Sequence, residues 1–284
     1  MIRIFADSTC DLSEELISRY QITILPLHVV LGETEYLDGS EITPDEIYAW
    51  SSENKLPPKT SAVSMETVGK AYASALNAGD EIISFSISSD MSTTANVMRL
   101  TAQELDAEER ITVIDSMNLS TGEGLLVVAA AEMAQKGMSR SEIEQKICSL
   151  RPLVRASFVV DTLTYLHRGG RCSGLAALAG GALKLHPRIA VSDGKMAPGK
   201  KYRGAMGKTI LVYAKDMEEE LLQAQPAHVF ITHSGCPQAE IDAVKAYVES
   251  LNRFEEIHVT RAGGVISSHC GPGTLGVLFI AGEA

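Results

Sequence analysis

The sequence has no pair of cysteines close enough for a metal or redox motif. Its five cysteines, Cys10, Cys148, Cys172, Cys236 and Cys270, are odd in number and widely separated, with no C-x-x-C. A zinc knuckle or a disulfide framework does not fit that pattern, and a reducing cytoplasm is the expected compartment. No H-x-x-x-H or Cys/His spacing supports a metal either, so no metal site is expected. G-x-x-x-x-G-K-[ST] and G-x-S-x-G are missing. "GAMGKT" ends in Gly-Lys-Thr, but its glycines are three positions apart rather than five. A nucleotide loop and an esterase nucleophile elbow are therefore not expected. No apolar run reaches the ~18 residues of a membrane span. "MIRIFADSTCDL" meets Asp7 too early for a targeting h-region. Positive charge is also scarce: the net charge of −11 argues against a nucleic-acid surface. Aromatics supply only 5% of residues, leaving aliphatic side chains to build the core.

What remains is a globular composition, 45% hydrophobic and 21% charged, over 284 residues. That length suits one large or two modest domains. "IRIF", "ITILPLHVV", "EIISFSIS" and "ITVIDS" read as strands. They alternate with helices expected from Asp11 to Tyr20, from Pro44 behind a Thr43 cap, from Met65 to Leu76, from Thr93 to Leu105 and from Leu119 to Gln135. Such alternation implies β-α-β crossovers and a mainly parallel, Rossmann-like sheet. Beyond "RPLVRAS" the rhythm changes. "ASFVVDTL", a hairpin turning at "SDGK", "HVFITHSG", "EIHVTRAGG" and "GVLFIAG" predict a mixed sheet, with helices over 205–223 and 237–251. The expected organisation is an N-terminal α/β domain, 1–153, and a C-terminal α/β domain, 154–284.

Ligands of open parallel sheets sit beyond the carboxyl ends of the strands. Here those ends carry "DST", "SISSDMSTT" and "DSMNLSTGEG", all rich in hydroxyls. In "KTSAVS", Thr60 and Ser61 precede a helix start, a setting that suits an anion as well as ordinary capping. "SISSDMSTTAN" repeats the arrangement with Ser92, and hydroxyls can donate to a bound oxygen without the desolvation cost of a charge. "LHRGGRCSG" presents Arg168 and Arg171 around a glycine pair, and an arginine fork suits a carboxylate or phosphate. His269 lies in a hydroxyl-rich loop, "ISSHCGPG", closed by an expected type II turn at Gly271-Pro272-Gly273-Thr274. By contrast, His28 and His233 at strand ends suit hydrogen-bonded core positions.

Together "ADSTCDLS", "LPLHV", "PKTSAVS", "ISSDMSTTANVM", "VIDSMNLSTGEGLL", "VVDTLTYLHRGGRCSG" and "ISSHCGPGTLGV" resemble the DegV family of bacterial fatty-acid-binding proteins. They span residues 6–277, essentially the whole chain. The resemblance implies two α/β domains holding one long-chain fatty acid between them in an apolar tunnel. The implied carboxylate ligands are Thr60 with Ser61, Ser92, Arg171 and His269. It further implies a carrier without catalysis or cofactor of its own, which presents the acid to a separate dihydroxyacetone-kinase-like subunit for phosphorylation. Arg203 in "KKYRG" is the implied kinase contact, and transient membrane contact is compatible with the role. Val63, Thr93 and Ala95–Asn96 depart from the family pattern near the head group or tunnel mouth.

Burying a chain of roughly sixteen carbons gains on the order of 12 kcal/mol at ~0.8 per methylene, before association entropy. A carboxylate buried unpaired is costly, and Arg171, hydroxyl donors and His269 would offset that cost. The competing readings are an enzyme acting on a small carbonyl or phosphorylated substrate, and a lipid-sensing regulator sharing the same pocket.

Overall fold

The computed structural model describes residues 1–172 and 185–282. The strands are β1 (Ile2–Asp7), β2 (Thr23–Leu25), β3 (His28–Leu31), β4 (Thr34–Leu37), β5 (Lys59–Ser61), β6 (Glu81–Ser86), β7 (Ile111–Asp115), β8 (Val154–Val159), β9 (Leu185–Ser192), β10 (Lys195–Arg203), β11 (Ala224–His233), β12 (Glu256–Arg261) and β13 (Leu275–Ala281). The helices are α1 (Glu14–Tyr20), α2 (Pro44–Asn54), α3 (Met65–Asn77), α4 (Thr94–Glu104), α5 (Thr121–Gln135), α6 (Arg140–Leu150), α7 (Thr164–Gly169), α8 (Met206–Lys215), α9 (Glu218–Leu222), α10 (Gln238–Ser250) and α11 (Gly264–Cys270).

Two main sheets result. β2-β1-β6-β7 is parallel throughout, and β10-β9-β8-β13-β11-β12 is mixed. This is the α/β pairing of sheets expected from the sequence. β6 is buried at every residue after Glu81, as a central parallel strand covered on both faces must be. Between the sheets runs α5, whose "GLLVVAA" stretch is buried on nearly every side. Leu125, Leu126 and Val128 pack with Ile4, Phe85 and Ile114 of the parallel sheet and with Ala156, Phe230 and Leu278 of the mixed one. A helix apolar all round can only be accommodated in such an interior position.

Local signals set several boundaries. α2 and α6 begin with capping boxes, Thr43 with Glu46 and Ser139 with Glu142. The β9–β10 hairpin turns at Asp193-Gly194, both left-handed at φ 49° and 78°, as a two-residue type I′ turn requires.

Other segments fold differently from expectation. Asp11 does not cap α1; Ser13 does, accepting from the Leu16 amide, because Asp11 is buried and bonded elsewhere. "ITILPLHVV" is not one strand. The chain breaks at Pro26, so that β2 joins the parallel sheet while β3 starts a three-stranded antiparallel sheet, β4-β3-β5. Within "KTSAVS", Lys59–Ser61 pair with β3 as a strand rather than a loop. "ISSHC" forms α11 rather than a loop, and residues 205–223 hold two helices, α8 and α9. Gly273 takes φ +77°, as the third position of the expected type II turn needs. Ser173 and Gly174, the last residues of "LHRGGRCSG", lie outside the described residues.

Candidate functional site

A cavity of about 450 Å³ opens beyond the carboxyl ends of β6 and β7, within the size range of ligand sites. Thr60, Ser61, Ser92, Arg171 and His269 all line it, although up to 209 residues separate them in the chain. The lining also includes the apolar side chains of Leu27, Ile87, Met91, Leu119, Leu166 and Ile266. A second cavity of about 30 Å³ shares Leu119, Ile266 and Cys270 with the first. It reaches inward to Phe158 and Leu278 of the mixed sheet. Arg203 ends the exposed strand β10 and does not line either cavity.

The polar wall is built by three elements. β5 alternates its side chains between faces, so Thr60 and Ser61 diverge. The Thr60 hydroxyl lies 2.9 Å from His269 Nε2, whereas Ser61 donates to Glu35 at 3.1 Å. Ser92 sits at the start of α4, where its hydroxyl accepts from the Thr94 amide and lies 2.9 Å from the Thr94 hydroxyl. Arg171 follows α7 and donates from Nη1 to the Gly169 carbonyl at 2.6 Å.

His269 occupies the last turn of α11, with its Nδ1 buried and without a hydrogen-bond partner among the described residues. Burial, helped by the Arg171 charge, pushes its pKa down to about 4, so the ring is neutral at pH 7. Gly169 lies against this ring: a Cβ at that position would come within 2.3 Å of Nδ1. The first glycine of "GGR" is thus a requirement of close approach to His269. The neighbouring hydroxyls are not available. Ser267 donates to the Ala262 carbonyl and Ser268 to the Gly264 carbonyl, both inside the turn-and-helix that carries His269.

Sequence reasoning missed what anchors α11. Asp11 accepts from the Gly263 amide and Asp38 from the Gly264 amide, each at 2.7 Å. Asp11 also accepts from Ser120, and Asp38 from Ser8. Asp7 accepts from Thr9 and from the Ile87 amide, and the Glu123 carboxyl is 3.4 Å from the Thr9 hydroxyl. These four carboxyls are buried. Burial raises the pKa of Asp7 to about 6, and raises Asp11 and Glu123 well above the ordinary range and Asp38 above it. One signal was present: Glu123 stands in the otherwise apolar helix "GEGLLVVAAA", where a carboxylate is out of place. No helix among the described residues is long and apolar enough to cross a membrane.

Comparison with known proteins adds to this geometry. The profile of a family described as "Uncharacterised protein, DegV family" matches residues 1–282. A DegV domain-containing protein of Deinococcus radiodurans is 33% identical over 276 residues, covering 97% of each chain. A solved DegV family protein of Thermus thermophilus, described as fatty-acid binding, superimposes with a TM-score of 0.90 at 32% identity over 99% of each chain. A stearic-acid-binding protein of Eubacterium ventriosum gives a TM-score of 0.85 at 30% identity, covering 99% of this chain and 98% of its own.

Proposed function

Because this chain belongs to the DegV family, we propose that it holds one long-chain fatty acid, with the carboxylate at the Thr60–Ser92–Arg171–His269 wall and the acyl chain along the apolar side. The observation that carries this reading is the cavity's mixed lining: hydroxyls, the Arg171 cation and the neutral His269 imidazole together with aliphatic side chains, and Asp90 as its one acid among the described residues. The small inner cavity extends the apolar side toward the mixed sheet and offers a route for the tail. Burial, and then the positive charge of Arg171, disfavours the imidazolium at His269. In the tautomer that carries its proton on Nε2, His269 would donate to Thr60 across the 2.9 Å contact and leave the Thr60 hydroxyl proton free for the ligand. Arg171 would add a charge-assisted bond. Ser61, turned toward Glu35, would contribute only at the cavity rim.

Protein purified from cells should release close to one equivalent of a fatty acid on denaturation, read by mass spectrometry of the extract. Protein that is empty and also fails to take up added oleate or palmitate would rule the reading out.

The role extends to presenting the acid to a separate dihydroxyacetone-kinase-like subunit, without catalysis or cofactor in this chain. β10 supplies a basic edge for that contact, with Lys195, Lys200, Lys201 and Arg203. Lys195 and Lys200 are paired with Asp90 and Asp216, whereas Arg203 is exposed at the strand end. Arg203→Glu should slow ATP-dependent acyl phosphate formation by the cognate kinase, trapped as hydroxamate, and leave fatty-acid affinity unchanged. Equal turnover by the variant would remove Arg203 from the contact. The proposed division, 1–153 and 154–284, assigns the parallel sheet to one unit and the mixed sheet to the other, with the cavity at their junction.

A further inference from the structure

Away from the cavity, β11 and β12 run parallel with His228 opposite Glu256 and Phe230 opposite His258. Residues paired in register share a face of the sheet, and so do residues two apart on one strand. His228, Glu256 and His258 therefore project together. Their ligand atoms lie within 4.8 Å of one another. His228 Nδ1 is 3.1 Å from His258 Nε2, which is 3.7 Å from Glu256 Oε2. Two nitrogens bound to one tetrahedral zinc at ~2.05 Å stand about 3.3 Å apart, so these separations bracket what an ion needs.

We propose that His228 Nδ1, His258 Nε2 and Glu256 Oε2 form a binding site for one divalent transition-metal ion of the zinc class, with Glu132 orienting His228 from behind.

The outer contacts match those of a metal-bound histidine. The far nitrogen of His228, Nε2, is 3.2 Å from Glu132 Oε1. Tyr20 holds that same oxygen with its hydroxyl at 2.9 Å. A carboxylate behind the ligating imidazole sets its tautomer and raises its basicity. The proton on His228 is thereby placed at Nε2, leaving a lone pair on Nδ1. In the metal-free site that lone pair accepts from His258 Nε2–H. On metal binding His258 shifts its proton to Nδ1 through solvent, so both rings ligate as neutral imidazoles and no net proton is lost. His258 is held by its stack on Phe230, with ring centroids 4.6 Å apart. Glu256 is 39% exposed on the edge strand β12, which leaves an entry path and room for water to complete the coordination. Two His and one carboxylate is a donor set suited to zinc-class ions and too nitrogen-rich for magnesium or calcium.

One contact opposes the ion. Arg19 donates to Glu256 Oε2 at 2.7 Å and also pairs with Glu15. Metal binding requires Glu256 to leave Arg19, which can remain on Glu15. The tie would join α1 and α5 to the outer edge of the mixed sheet, because Tyr20 and Glu132 stand behind the ligands.

The test is titration of the chelator-treated full chain with Co²⁺, read by its visible absorption, and with Zn²⁺ in competition. One saturable equivalent is expected. His228→Ala and His258→Ala should abolish the absorption band and the rise in unfolding temperature that Zn²⁺ gives the parent protein. His258→Gln preserves bulk against Phe230 and should behave as His258→Ala, separating loss of a ligand from loss of packing. Glu132→Gln should weaken binding by about 10–100-fold. Arg19→Ala should strengthen it, an effect opposite to that of a purely structural residue. Absence of a saturable equivalent, or an unchanged Co²⁺ band in the folded His228 and His258 variants, would overturn the assignment.

Discussion

Replacing His269 with alanine is expected to weaken palmitate binding by about 10–100-fold and hexadecanol binding by less than about threefold. The size follows from hydrogen bonds to a charged group, worth roughly 1.5–3 kcal/mol each, at ~1.4 kcal/mol per tenfold. His269 orients the Thr60 hydroxyl through the 2.9 Å contact, and both face the cavity. An alcohol carries no charge, so it depends less on that donor. Thr60→Val, which keeps the shape and removes the hydroxyl, should show the same preference for losing the acid. Gly169→Ala should reach the same result from behind the ring. Its added Cβ would sit 2.3 Å from Nδ1 and push the imidazole away from Thr60. Displacement of a fluorescent fatty acid by palmitate and by hexadecanol measures the ratio. Equal losses for acid and alcohol in all three variants would show that this wall does not read the carboxylate.

Glu123→Gln is expected to become progressively more stable relative to the parent protein as pH rises from 5 to 8. Glu123 is buried at the start of α5, with Oε1 unpartnered among the described residues and Asp7 and Asp11 nearby. Burial first, then the charge of Asp7, raises its pKa well above the ordinary carboxyl value of 4.5. The folded state thus keeps a proton that the unfolded chain releases above about pH 4.5. By linkage, the stability it contributes is complete below that pH and is lost as pH rises through the folded value. Asp7 acts in the same sense between 3.8 and about 6. His269 acts in the opposite sense. Its pKa falls from 6.5 to about 4, so its contribution is present above pH 6.5 and is lost as pH falls toward 4. Glutamine carries no titrating proton, so the variant should lack the Glu123 share of the decline at high pH. Urea unfolding of both proteins at pH 5 and pH 8 gives the comparison. A variant destabilised equally at both pH values would show that Glu123 is ionised in the fold.

Local sequence determined much of the secondary structure. Thr43-Pro44 with Glu46 and Ser64 before Met65 begin helices where expected, and Ser139 with Glu142 begins α6 in the same way, because caps act over three or four residues. Asp193-Gly194 turns its hairpin for an equally local reason. The motifs shared with the DegV family also singled out Thr60, Ser61, Ser92, Arg171 and His269, all of which are among the residues that line the cavity. Composition and periodicity alone reached only as far as hydroxyl loops at strand ends.

Tertiary structure decided how those groups meet the cavity. "TS" at 60–61 looks like one double hydroxyl, but pairing with β3 makes it a strand and sends Ser61 toward Glu35. "SSH" looks like one polar cluster, but helix geometry returns both serines to backbone carbonyls and leaves His269 at the wall. Asp11 looks like a helix cap and instead reaches across 252 residues to the Gly263 amide. His228 and the Glu256–His258 pair form no spacing motif because their proximity exists only in the register of two parallel strands. Caps and turns are contacts between near neighbours, so the chain specifies them directly. The cavity wall, the buried carboxyls and the histidine pair join residues far apart in sequence, and only strand pairing and the packing of the two sheets around α5 bring them within bonding distance.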